Sequence, residues 1–297
     1  MALSTAALRE IAKTTLDAVS SGSLVVDGLA YDIRSKLDES RYQTAYYSPS
    51  SLLSAWCSSP IPTSTSNSTN QPTVIEFLET TTLDATRKAA LKGYKRPLGM
   101  LNFASAEQPG GGFINGANAQ EESLTRSSTL YASLMTPTAQ QFHALHADGE
   151  GEDGFYSHAM VYSPHVVFFR EDDGRWVPPM EAEVVTSAAV NAELVLSQSA
   201  APHSDSYERI RKAMHERMAR ILFLFERRGV RNIVLGSFGT GVFRNDVDTV
   251  ASIWAELLVG NAGRFSRSFA YVAFAILDAP TYLQFRGAFE RVRRHRT

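Results

Sequence analysis

Hydrophobic residues recur along this chain with two spacings, one typical of helices and the other typical of strands. Near the start, four positions at helical intervals predict a helix over residues 4–19: Leu8, Ile11, Thr15 and Val19. Amphipathic stretches predict further helices over residues 83–94, 207–228 and 247–259. Short apolar runs predict strands at residues 24–28, 74–78, 98–104, 160–162, 166–169, 184–186, 233–235 and 271–277. This alternation predicts an α/β fold with a mixed β-sheet sandwiched between helices.

One segment, residues 58–72, departs from this alternation because it consists almost entirely of Ser, Thr, Pro, Asn and Gln. Such a composition predicts a surface loop or a disordered insertion. We do not expect it to link two domains, since no independent hydrophobic core precedes it.

Composition narrows the classes of protein to which the chain can belong. Its 297 residues are 44% hydrophobic and 20% charged, as in ordinary soluble globular proteins. The formal net charge of -2 provides no global basic field, so we expect no direct sequence-specific binding to nucleic acid. No apolar run approaches the ~18 residues of a membrane span, and the N-terminus lacks a basic-then-apolar secretion signal. We therefore expect an intracellular protein, cytoplasmic or nuclear, that makes no membrane contact.

The cysteine and histidine content argues against a metal site. Cys57 is the only cysteine, which excludes an intramolecular disulfide and a cysteine-rich zinc site, and we expect it to be a small buried residue. The seven histidines show no ligand spacing; His143 and His146 are three positions apart but have no third partner nearby. We expect no metal ion and no other cofactor.

Two polar segments carry the candidate chemistry, and the first begins with consecutive glycines. After seven intervening residues it ends in a glutamine and two acids, so that its notable residues are Gly110, Gly111, Gly112, Gln120, Glu121 and Glu122. Three glycines let a backbone approach a ligand with no Cβ in the way. A glycine loop that delivers a carboxylate to a ligand is the arrangement expected for a phosphate-containing substrate and a general acid.

The two acids at the start of the predicted helix allow two interpretations. Acidic residues are favoured in the first turn by the helix dipole, so Glu121 and Glu122 could simply stabilise the helix. Against this, a helix start requires one acid and no preceding glycines. Neighbouring helical residues point ~100° apart, so the two carboxylates are not expected to flank one bond as in a usual glycosidase pair. One acid would hold the substrate and the other would transfer a proton; periodicity leaves open which.

The second polar segment, residues 236–246, directly follows the strand predicted at residues 233–235. Its glycines at positions 236, 239 and 241 allow successive backbone N–H groups to point into one concavity, which suits a diphosphate. The segment lacks the glycine spacing of a dinucleotide fingerprint and the Gly-Lys-Ser/Thr end of a P-loop. A tight turn is the alternative explanation, which the presence of another glycine loop after another strand makes less favourable.

Together these segments resemble the signature of bacterial-type poly(ADP-ribose) glycohydrolases, which are enzymes with the macrodomain fold. The Gly-Gly-Gly and Gln-Glu-Glu elements carry the resemblance, together with residues 101–106, 235–246, 47–49 and 160–164. The similarity extends over most of the chain except residues 58–72. It implies a macrodomain-like catalytic domain in residues 73–297, preceded by a mainly helical accessory segment in residues 1–72 that ends in the Ser/Thr-rich loop.

The resemblance implies a poly(ADP-ribose) glycohydrolase that cleaves ribose–ribose O-glycosidic bonds, acts from the chain end and releases ADP-ribose. Glu122 would be the general acid that protonates the leaving 2′-oxygen and then, as a carboxylate, activates the attacking water. Glu121 would hydrogen bond the ribose hydroxyls and hold the sugar in place. The substrate would be poly(ADP-ribose) or ADP-ribosylated proteins.

The same resemblance assigns residues of both loops to substrate binding. They are Asn102, Gly110, Gly111, Gly112, Gln120, Gly239, Thr240, Gly241, Val242 and Phe243. The first loop would approach the diphosphate and the distal ribose, which Asn102 also touches. The second loop would give backbone N–H groups to the diphosphate, and Phe243 would pack on the ribose. The adenine pocket is not located; residues 79–81 are the only candidate.

Two other functions fit the same motifs. Macrodomains that lack the acid pair bind ADP-ribose without cutting it, but the presence of both Glu121 and Glu122 argues against such a reader. A mono-ADP-ribosyl hydrolase would use the same diphosphate loop, and its selectivity would depend on how residues such as Asn115 and Asn118 close over the distal ribose. The sequence leaves this alternative open.

Overall fold

The computed structural model describes residues 3–59, 73–94, 97–147, 153–198, 204–260 and 262–296. Its helices and strands, in chain order, are α1 (Thr5–Ser21), β1 (Ser23–Val26), β2 (Leu29–Asp32), α2 (Arg34–Gln43), β3 (Ala45–Tyr47), β4 (Val74–Leu78), α3 (Thr82–Leu91), β5 (Leu98–Phe103), α4 (Gln120–Arg126), α5 (Leu130–Leu134), α6 (Pro137–Ala147), β6 (Met160–Arg170), β7 (Trp176–Ser187), α7 (Ala192–Gln198), α8 (Ser204–Arg227), β8 (Asn232–Leu235), α9 (Val247–Leu258), β9 (Tyr271–Ala275) and α10 (Ala279–Arg296). Short 3₁₀ helices lie at Leu52–Ala55 and Phe113–Asn115.

Seven strands form a central sheet in the order β3-β6-β7-β5-β8-β9-β4. Strands β7, β5, β8, β9 and β4 run parallel, whereas β6 pairs antiparallel with β7, and β3 pairs antiparallel with β6. The sheet is therefore mixed, as the sequence predicts. The carboxyl ends of the five parallel strands meet at one edge of the sheet, where ligands sit in such folds.

Alternate residues of the parallel strands face opposite layers of helices. Leu101, Val185 and Ile233 belong to a hydrophobic cluster that α8, α9 and α10 cover. Met100 and Val184 belong to a second cluster, which α4, α5 and α6 cover. Burial on both faces explains why these strands appear in the sequence as continuous apolar runs. The predicted α/β sandwich is confirmed.

The two strands predicted within residues 160–169 are in fact one strand, β6. Its pairing with β7 shifts register between Ser163 and Val166, and His165 in this bulge has a φ of 53°. Pro164 and the polar residues beside it interrupt the apolar pattern. The pattern therefore indicated a break at a place where the strand only bulges.

Helix α4, which carries the two acids, ends at Arg126 because the residues after it hydrogen bond to β6. The Phe169 N–H donates to the Ser127 carbonyl at 2.9 Å, and the Thr129 N–H donates to the Val167 carbonyl at 3.0 Å. These backbone bonds take the place of the next helical turn. They fix the end of α4 against the sheet.

The N-terminal segment contributes two helices and three short strands. Strands β1 and β2 form an antiparallel hairpin, and β3 pairs with β6 at the edge of the central sheet. Thr15 of α1 donates a hydrogen bond to the Arg126 carbonyl of α4 at 2.6 Å, so this segment contacts the helix that carries the acids. The boundary at residue 72 stays a prediction, and most of the polar insertion, residues 60–72, lies outside the described residues. Among the described helices, none has the length and apolar character needed to cross a membrane.

Candidate active site

A cavity of about 680 Å³ opens at the edge of the sheet where the parallel strands end. Its lining comes from the ends of β5 and β9, the start of α4, the loop before α3 and the loop after β8. Both acids line it, as do the predicted residues of the second loop: Glu121, Glu122, Gly239, Thr240, Gly241, Val242 and Phe243. The fold thus brings two segments that are far apart in the sequence to a single cavity.

Glu121 is held by three hydrogen-bond donors. Its Oε2 accepts from the Ser105 N–H at 2.6 Å, its Oε1 accepts from Asn102 Nδ2 at 3.1 Å, and the Gly110 N–H also donates to this carboxyl. Only 3% of the residue is exposed. Burial raises the pKa of Glu121 to about 8, although the three donors act in the opposite direction. A carboxyl with this pKa is mostly protonated at neutral pH.

Glu122 is anchored at both carboxylate oxygens by backbone N–H groups. The Gly112 N–H donates to Oε1 at 2.9 Å, and the Ala119 N–H donates to Oε2 at 3.1 Å. The bond to Ala119 is the one that an acid in the first turn makes to the residue before a helix, so Glu122 does stabilise the start of α4. It nevertheless lines the cavity with 9% of its surface exposed. Each oxygen keeps a second lone pair for a proton or a substrate hydroxyl.

The first glycine loop packs directly on the two carboxyl groups. A Cβ on Gly111 would overlap Glu122 Oε1 and would lie 3.2 Å from Glu121 Oε2. The φ angles of Gly110 and Gly111 are 72° and 59°, in the left-handed region that favours glycine. The two Cα–Cβ bonds diverge around the helix, as the helical period requires. The carboxyl groups nevertheless converge on Gly111, because the glutamate side chains are long enough to bend back toward one small region.

This geometry changes the interpretation of the three glycines. Gly110, Gly111 and Gly112 do not appear among the described residues that line the cavity. We predicted that they approach the diphosphate and the distal ribose, but in the structure they approach the protein's own acids. In the structure, Gly111 packs on the two carboxyl groups, and the Gly110 and Gly112 N–H groups donate to Glu121 and Glu122; the contact of these glycines with the diphosphate and the ribose stays a prediction.

Gln120, predicted to bind substrate, uses its amide to tie α4 to the sheet. Its Oε1 accepts from the Phe103 N–H at 2.9 Å. Its Nε2 donates to the Leu101 carbonyl at 2.7 Å and to Thr82 Oγ1 at 3.1 Å. The residue borders the cavity, but these three bonds occupy its side chain. It positions the acids that follow it in the sequence.

Asn102, also predicted to touch substrate, lies behind Glu121. It is completely buried, and it is not one of the described residues that line the cavity. Its Nδ2 donates to Glu121 and, at 3.2 Å, to Thr186 Oγ1. The direct ribose contact of Asn102 stays a prediction; what the structure shows is an amide that supports the Glu121 carboxyl.

The second glycine loop leaves several backbone N–H groups free. Four of them donate to no acceptor within the part of the chain that the structure describes: those of Gly239, Gly241, Val242 and Phe243. The Thr240 N–H was also predicted to face the diphosphate, but it donates to the Ser237 carbonyl at 3.2 Å. Successive free N–H groups beside a cavity form a concavity suited to an anion.

Gly239 and Gly241 of the second loop differ in whether the folded backbone requires a glycine. Gly239 has a φ of 75°, and a Cβ there would overlap the Cβ of Ala189. Gly241 lies outside the left-handed region, and a Cβ there would meet no atom within 4 Å. The adjacent Val242 is 76% exposed. The folded chain therefore requires glycine at position 239 but not at position 241.

Sequence reasoning missed several residues that shape the cavity. Asp172, in the turn between β6 and β7, lines the cavity and accepts hydrogen bonds from Thr81 Oγ1 at 2.6 Å and from Ser123 Oγ. Tyr156 lines it as well, and Ser105 both lines it and supplies an N–H to Glu121. Ser105 lies in the 101–106 segment of the resemblance but was given no role there, and Asp172 and Tyr156 belong to no motif.

The remaining candidates divide between the cavity and its surroundings. Of the residues considered for the adenine, Thr80 and Thr81 line the cavity, whereas Glu79 is exposed and is not among the described lining residues. Of the two asparagines considered for selectivity, Asn118 lines the cavity, whereas Asn115 is likewise outside this set. Two of the three adenine candidates and one of the two asparagines are therefore cavity residues.

His143 and His146, the two histidines considered as metal ligands, are buried in the protein. His143 Nδ1 lies 3.1 Å from the Ala106 carbonyl, and His146 Nδ1 lies 2.7 Å from the Phe142 carbonyl. Burial lowers the pKa of His143 to about 4. In the described ranges, no three His, Cys, Asp or Glu side chains are grouped so that they could hold a metal ion. Cys57 is exposed, so the prediction that it is buried is wrong.

Comparison with known proteins identifies the family. The family model for the catalytic domain of the microbial-type poly(ADP-ribose) glycohydrolases, or PARGs, matches residues 12–171. The chain belongs to the microbial-type PARG family. The resemblance seen in the sequence is thereby confirmed, and membership of this family makes the chain a glycoside hydrolase. A search among curated proteins gave no match.

Solved PARG structures are similar to this chain over nearly its whole length. The PARG from Thermomonospora curvata is 35% identical with a TM-score of 0.84, and the alignment covers 97% of this chain and 99% of that one. The same enzyme bound to the inhibitor ADP-HPD is 35% identical with a TM-score of 0.82, and 96% and 99% are covered. The PARG from Deinococcus radiodurans in complex with ADP-ribose is 33% identical with a TM-score of 0.72, and 91% and 98% are covered. These similarities confirm the fold class.

Proposed function

We propose that this PARG removes ADP-ribose from the ends of poly(ADP-ribose), free or attached to proteins, by cleaving ribose–ribose O-glycosidic bonds. The observation that carries the proposal is the way in which hydrogen bonds hold the Glu122 side chain at the cavity. Its carboxylate lines the cavity, yet both of its oxygens are fixed by the Gly112 and Ala119 N–H groups. A general acid needs this combination of access and fixed geometry.

Glu122 is the proposed general acid and base. In cleavage, the anomeric carbon of the terminal ribose takes on positive charge as its bond to the leaving 2′-oxygen breaks. Protonated Glu122 gives its proton to that oxygen, which leaves as a hydroxyl. The resulting carboxylate then takes a proton from water as the water attacks the anomeric carbon. The residue ends the cycle protonated, and the products are ADP-ribose and a shortened chain.

Glu121 is the proposed holder of the ribose. It is deeper than Glu122, and Ser105, Asn102 and Gly110 donate to its carboxyl. With a pKa raised to about 8 by burial, it carries a proton at neutral pH and can donate it in a hydrogen bond to a ribose hydroxyl. Because it is less exposed to the cavity than Glu122, we assign it to holding the ribose rather than to proton transfer.

The second loop is the proposed diphosphate site. The free N–H groups of Gly239, Gly241, Val242 and Phe243 support it, as does the open space at Gly241. A ligand that lies against the backbone is a physical reason for glycine at a position where the folded chain does not need one. The solved structure of the related Deinococcus radiodurans enzyme contains ADP-ribose, which agrees with a site for one such unit.

The size of the cavity supports action from the chain end. A volume of about 680 Å³ is in the range of pockets that hold one small ligand, so it suits one terminal ADP-ribose rather than an internal stretch of polymer. The rest of the chain would leave on the side of the scissile bond, next to Glu122.

Labelled poly(ADP-ribose) incubated with the purified protein tests this proposal when the products are resolved by chain length. Exo action predicts that free ADP-ribose accumulates from the first time point while long chains shorten gradually. Early release of multi-unit fragments would contradict exo action. An intact polymer together with measurable ADP-ribose binding would contradict polymer cleavage itself and would leave a reader or a mono-ADP-ribosyl hydrolase.

A further inference from the structure

Tyr156 has an unusual backbone conformation at the cavity. It lines the cavity, and its φ is 50°. A bulky residue in the left-handed region is a genuine outlier, because its Cβ crowds the backbone. Such strain persists only where the surroundings enforce it, and it concentrates at functional sites. Contacts around Tyr156 must therefore hold its backbone in this conformation, and its place at the cavity points to a functional role.

The cause is a buried arginine that binds the backbone around Tyr156. Arg217 of α8 is completely buried, and its guanidinium donates to the Phe155 carbonyl at 2.8 Å, the Tyr156 carbonyl at 3.2 Å and the Ala188 carbonyl at 2.9 Å. The first two carbonyls belong to the strained segment, and the third follows β7. Arg217 thus joins two segments that border the cavity.

This arginine has no carboxylate partner among the described residues. Burial lowers its pKa to about 9, and Arg220 nearby acts in the same direction. A buried charge without a counter-charge is costly, and backbone carbonyls alone compensate it incompletely. An apolar side chain would fill this part of the core at a lower cost in free energy. The buried arginine therefore indicates that a fixed position of residues 155–156 beside the cavity is important for function.

Further bonds fix the segment on its other sides. The Ser157 N–H donates to His146 Nε2 at 3.1 Å, and the Tyr156 side chain hydrogen bonds to Asn191. The Tyr156 ring is also 5.7 Å from the His146 ring, edge to face. The orientation of the tyrosine is therefore determined by several contacts rather than by one.

The fixed ring lies beside the residue expected to pack on the ribose. The centroids of Tyr156 and Phe243 are 5.8 Å apart, with an angle of 43° between the rings. Phe243 belongs to the second glycine loop. Burial raises the pKa of Tyr156, and the charge of Glu107, which lies between β5 and the first loop, helps to raise it. Tyr156 therefore lies where the two loops approach each other.

We propose that Tyr156 is a substrate-contacting residue whose ring packs with Phe243 on the sugar next to the scissile bond, and that Arg217 is the positioning residue that holds it there. This inference rests on the proposed function, since it assumes that the sugar lies between the two loops. Aromatic rings pack favourably on apolar faces of a ligand while excluding water from them. A ring held in advance loses little conformational freedom when the ligand binds.

Matched substitutions at Tyr156 test the contact. Tyr156→Gly and Tyr156→Ala both remove the ring, but only glycine relieves the positive φ. We expect both variants to raise the KM for poly(ADP-ribose) and the Kd for ADP-ribose by about tenfold, the scale of one lost aromatic contact, with kcat changed less than twofold. We expect Tyr156→Gly to melt at a higher temperature than Tyr156→Ala. Tyr156→Phe keeps the ring and should stay within about threefold of wild type, because only the bond to Asn191 is lost.

Two results would overturn the inference. One is a Tyr156→Gly variant that is folded and has a wild-type Kd for ADP-ribose and a wild-type KM for the polymer. The other is a loss confined to melting temperature in every variant, which would make Tyr156 purely structural. If the wild-type protein cleaves no polymer, the proposed function fails separately, and the calorimetric Kd for ADP-ribose still decides whether Tyr156 contacts the ligand.

Arg217→Lys and Arg217→Met test the positioning role. Lysine keeps the charge but lacks the planar fork that reaches three carbonyls, and methionine keeps only the volume. If Arg217 acts through Tyr156, Arg217→Met should raise KM as Tyr156→Gly does, and the double variant should be no worse than the worse single variant. Additive KM effects in the double variant would overturn the positioning role. Should Arg217→Met fail to fold, the Arg217→Lys and Tyr156→Gly double variant serves the same comparison.

Discussion

The two glycine loops of this PARG look alike in composition but differ in what their glycines contact. In the first loop, Gly111 has a left-handed backbone, and any side chain there would overlap Glu122. In the second loop, Gly241 has neither constraint, and a side chain there would enter open space. The first loop thus packs on the protein's own acid, Glu122, whereas the second loop has space for a ligand beside Gly241.

A glycine-rich motif therefore does not by itself identify a backbone segment that binds a ligand. Three consecutive glycines suggested close approach to a substrate, yet the structure explains them by the approach to Glu121 and Glu122. The free N–H groups that suit an anion lie instead in the loop after β8. We infer that the first loop serves chemistry and the second serves binding, and the predictions below separate these roles.

The largest effect is expected for Glu122→Gln, which keeps the size of the side chain but removes the transferable proton. We expect the rate of ADP-ribose release to fall by about 10³-fold, the scale of general acid catalysis. The Kd for ADP-ribose, measured by calorimetry, should stay within about twofold of wild type, since the product no longer contains the bond being protonated.

Glu121→Gln is the matched control for this substitution. It should also slow hydrolysis, but it should weaken ADP-ribose binding by about tenfold, because an amide nitrogen cannot accept the hydrogen bonds that both Glu121 oxygens receive, so the group that holds the ribose is displaced. A Glu122→Gln variant that cleaves polymer at more than a tenth of the wild-type rate would remove Glu122 from the acid role.

The next largest effect is expected for Gly111→Ala. Its Cβ would displace Glu122 Oε1, and a catalytic group displaced by about 1 Å loses about 10²-fold in rate. Gly28→Ala is the matched control: the φ of Gly28 is 78°, but a Cβ there meets nothing within 4 Å. Both variants should lower the melting temperature through backbone strain, and only Gly111→Ala should lower the single-turnover rate. Equal rates for the two variants would contradict the role of the first loop.

A smaller effect is expected for Gly241→Val. A Cβ at this position meets no atom within 4 Å, so we expect little change in melting temperature. It would crowd a diphosphate that lies on the loop, and we expect the Kd for ADP-ribose to rise about 10- to 100-fold, as when hydrogen bonds to a charged group are lost. Gly241→Ala should give a smaller rise. A wild-type Kd in both variants would show that the diphosphate binds elsewhere.

A different quantity, the pH dependence of the free energy of unfolding, tests the environment of Glu121. Its pKa is about 8 in the folded protein and 4.5 in its ordinary environment, so the folded state binds the proton more tightly. The free energy of unfolding should therefore fall as the pH rises from about 4.5 to about 8, by at most about 1.4 kcal/mol per pH unit. Chemical denaturation of wild type and Glu121→Gln at several pH values measures the difference. A parallel pH dependence in the two proteins would refute the raised pKa.

Much of the fold could be predicted because the strands that matter most are buried on both faces. Strand β5 begins with the apolar run 98–101, β8 ends with the apolar run 233–235, and α8 carries its apolar stripe over many turns. The bulge in β6 and the pairing of β3 at the edge of the sheet could not be predicted in this way. Both depend on backbone hydrogen bonds between distant segments, which leave no period in the sequence.

The site could be predicted only as far as its motifs extend. Glu121, Glu122 and the residues of the second loop do line the cavity. The functions of Gln120 and Asn102 could not be read from the motif, because their partners are backbone or buried groups that only the folded sheet brings near. Tyr156 and Arg217 carried no signal at all, since a φ angle and an unpaired buried guanidinium are visible only in three dimensions.

The most direct test of the division between chemistry and binding is single-turnover hydrolysis of poly(ADP-ribose) by Gly111→Ala and Gly241→Val as the enzyme concentration is raised to saturation. We expect Gly241→Val to reach the wild-type rate once binding is saturated, because its acid is intact. We expect Gly111→Ala to stay slow at every enzyme concentration, because its acid is displaced. Recovery of the wild-type rate by Gly111→Ala, or a slow saturated rate for Gly241→Val, would show that the two loops do not divide chemistry and binding in this way.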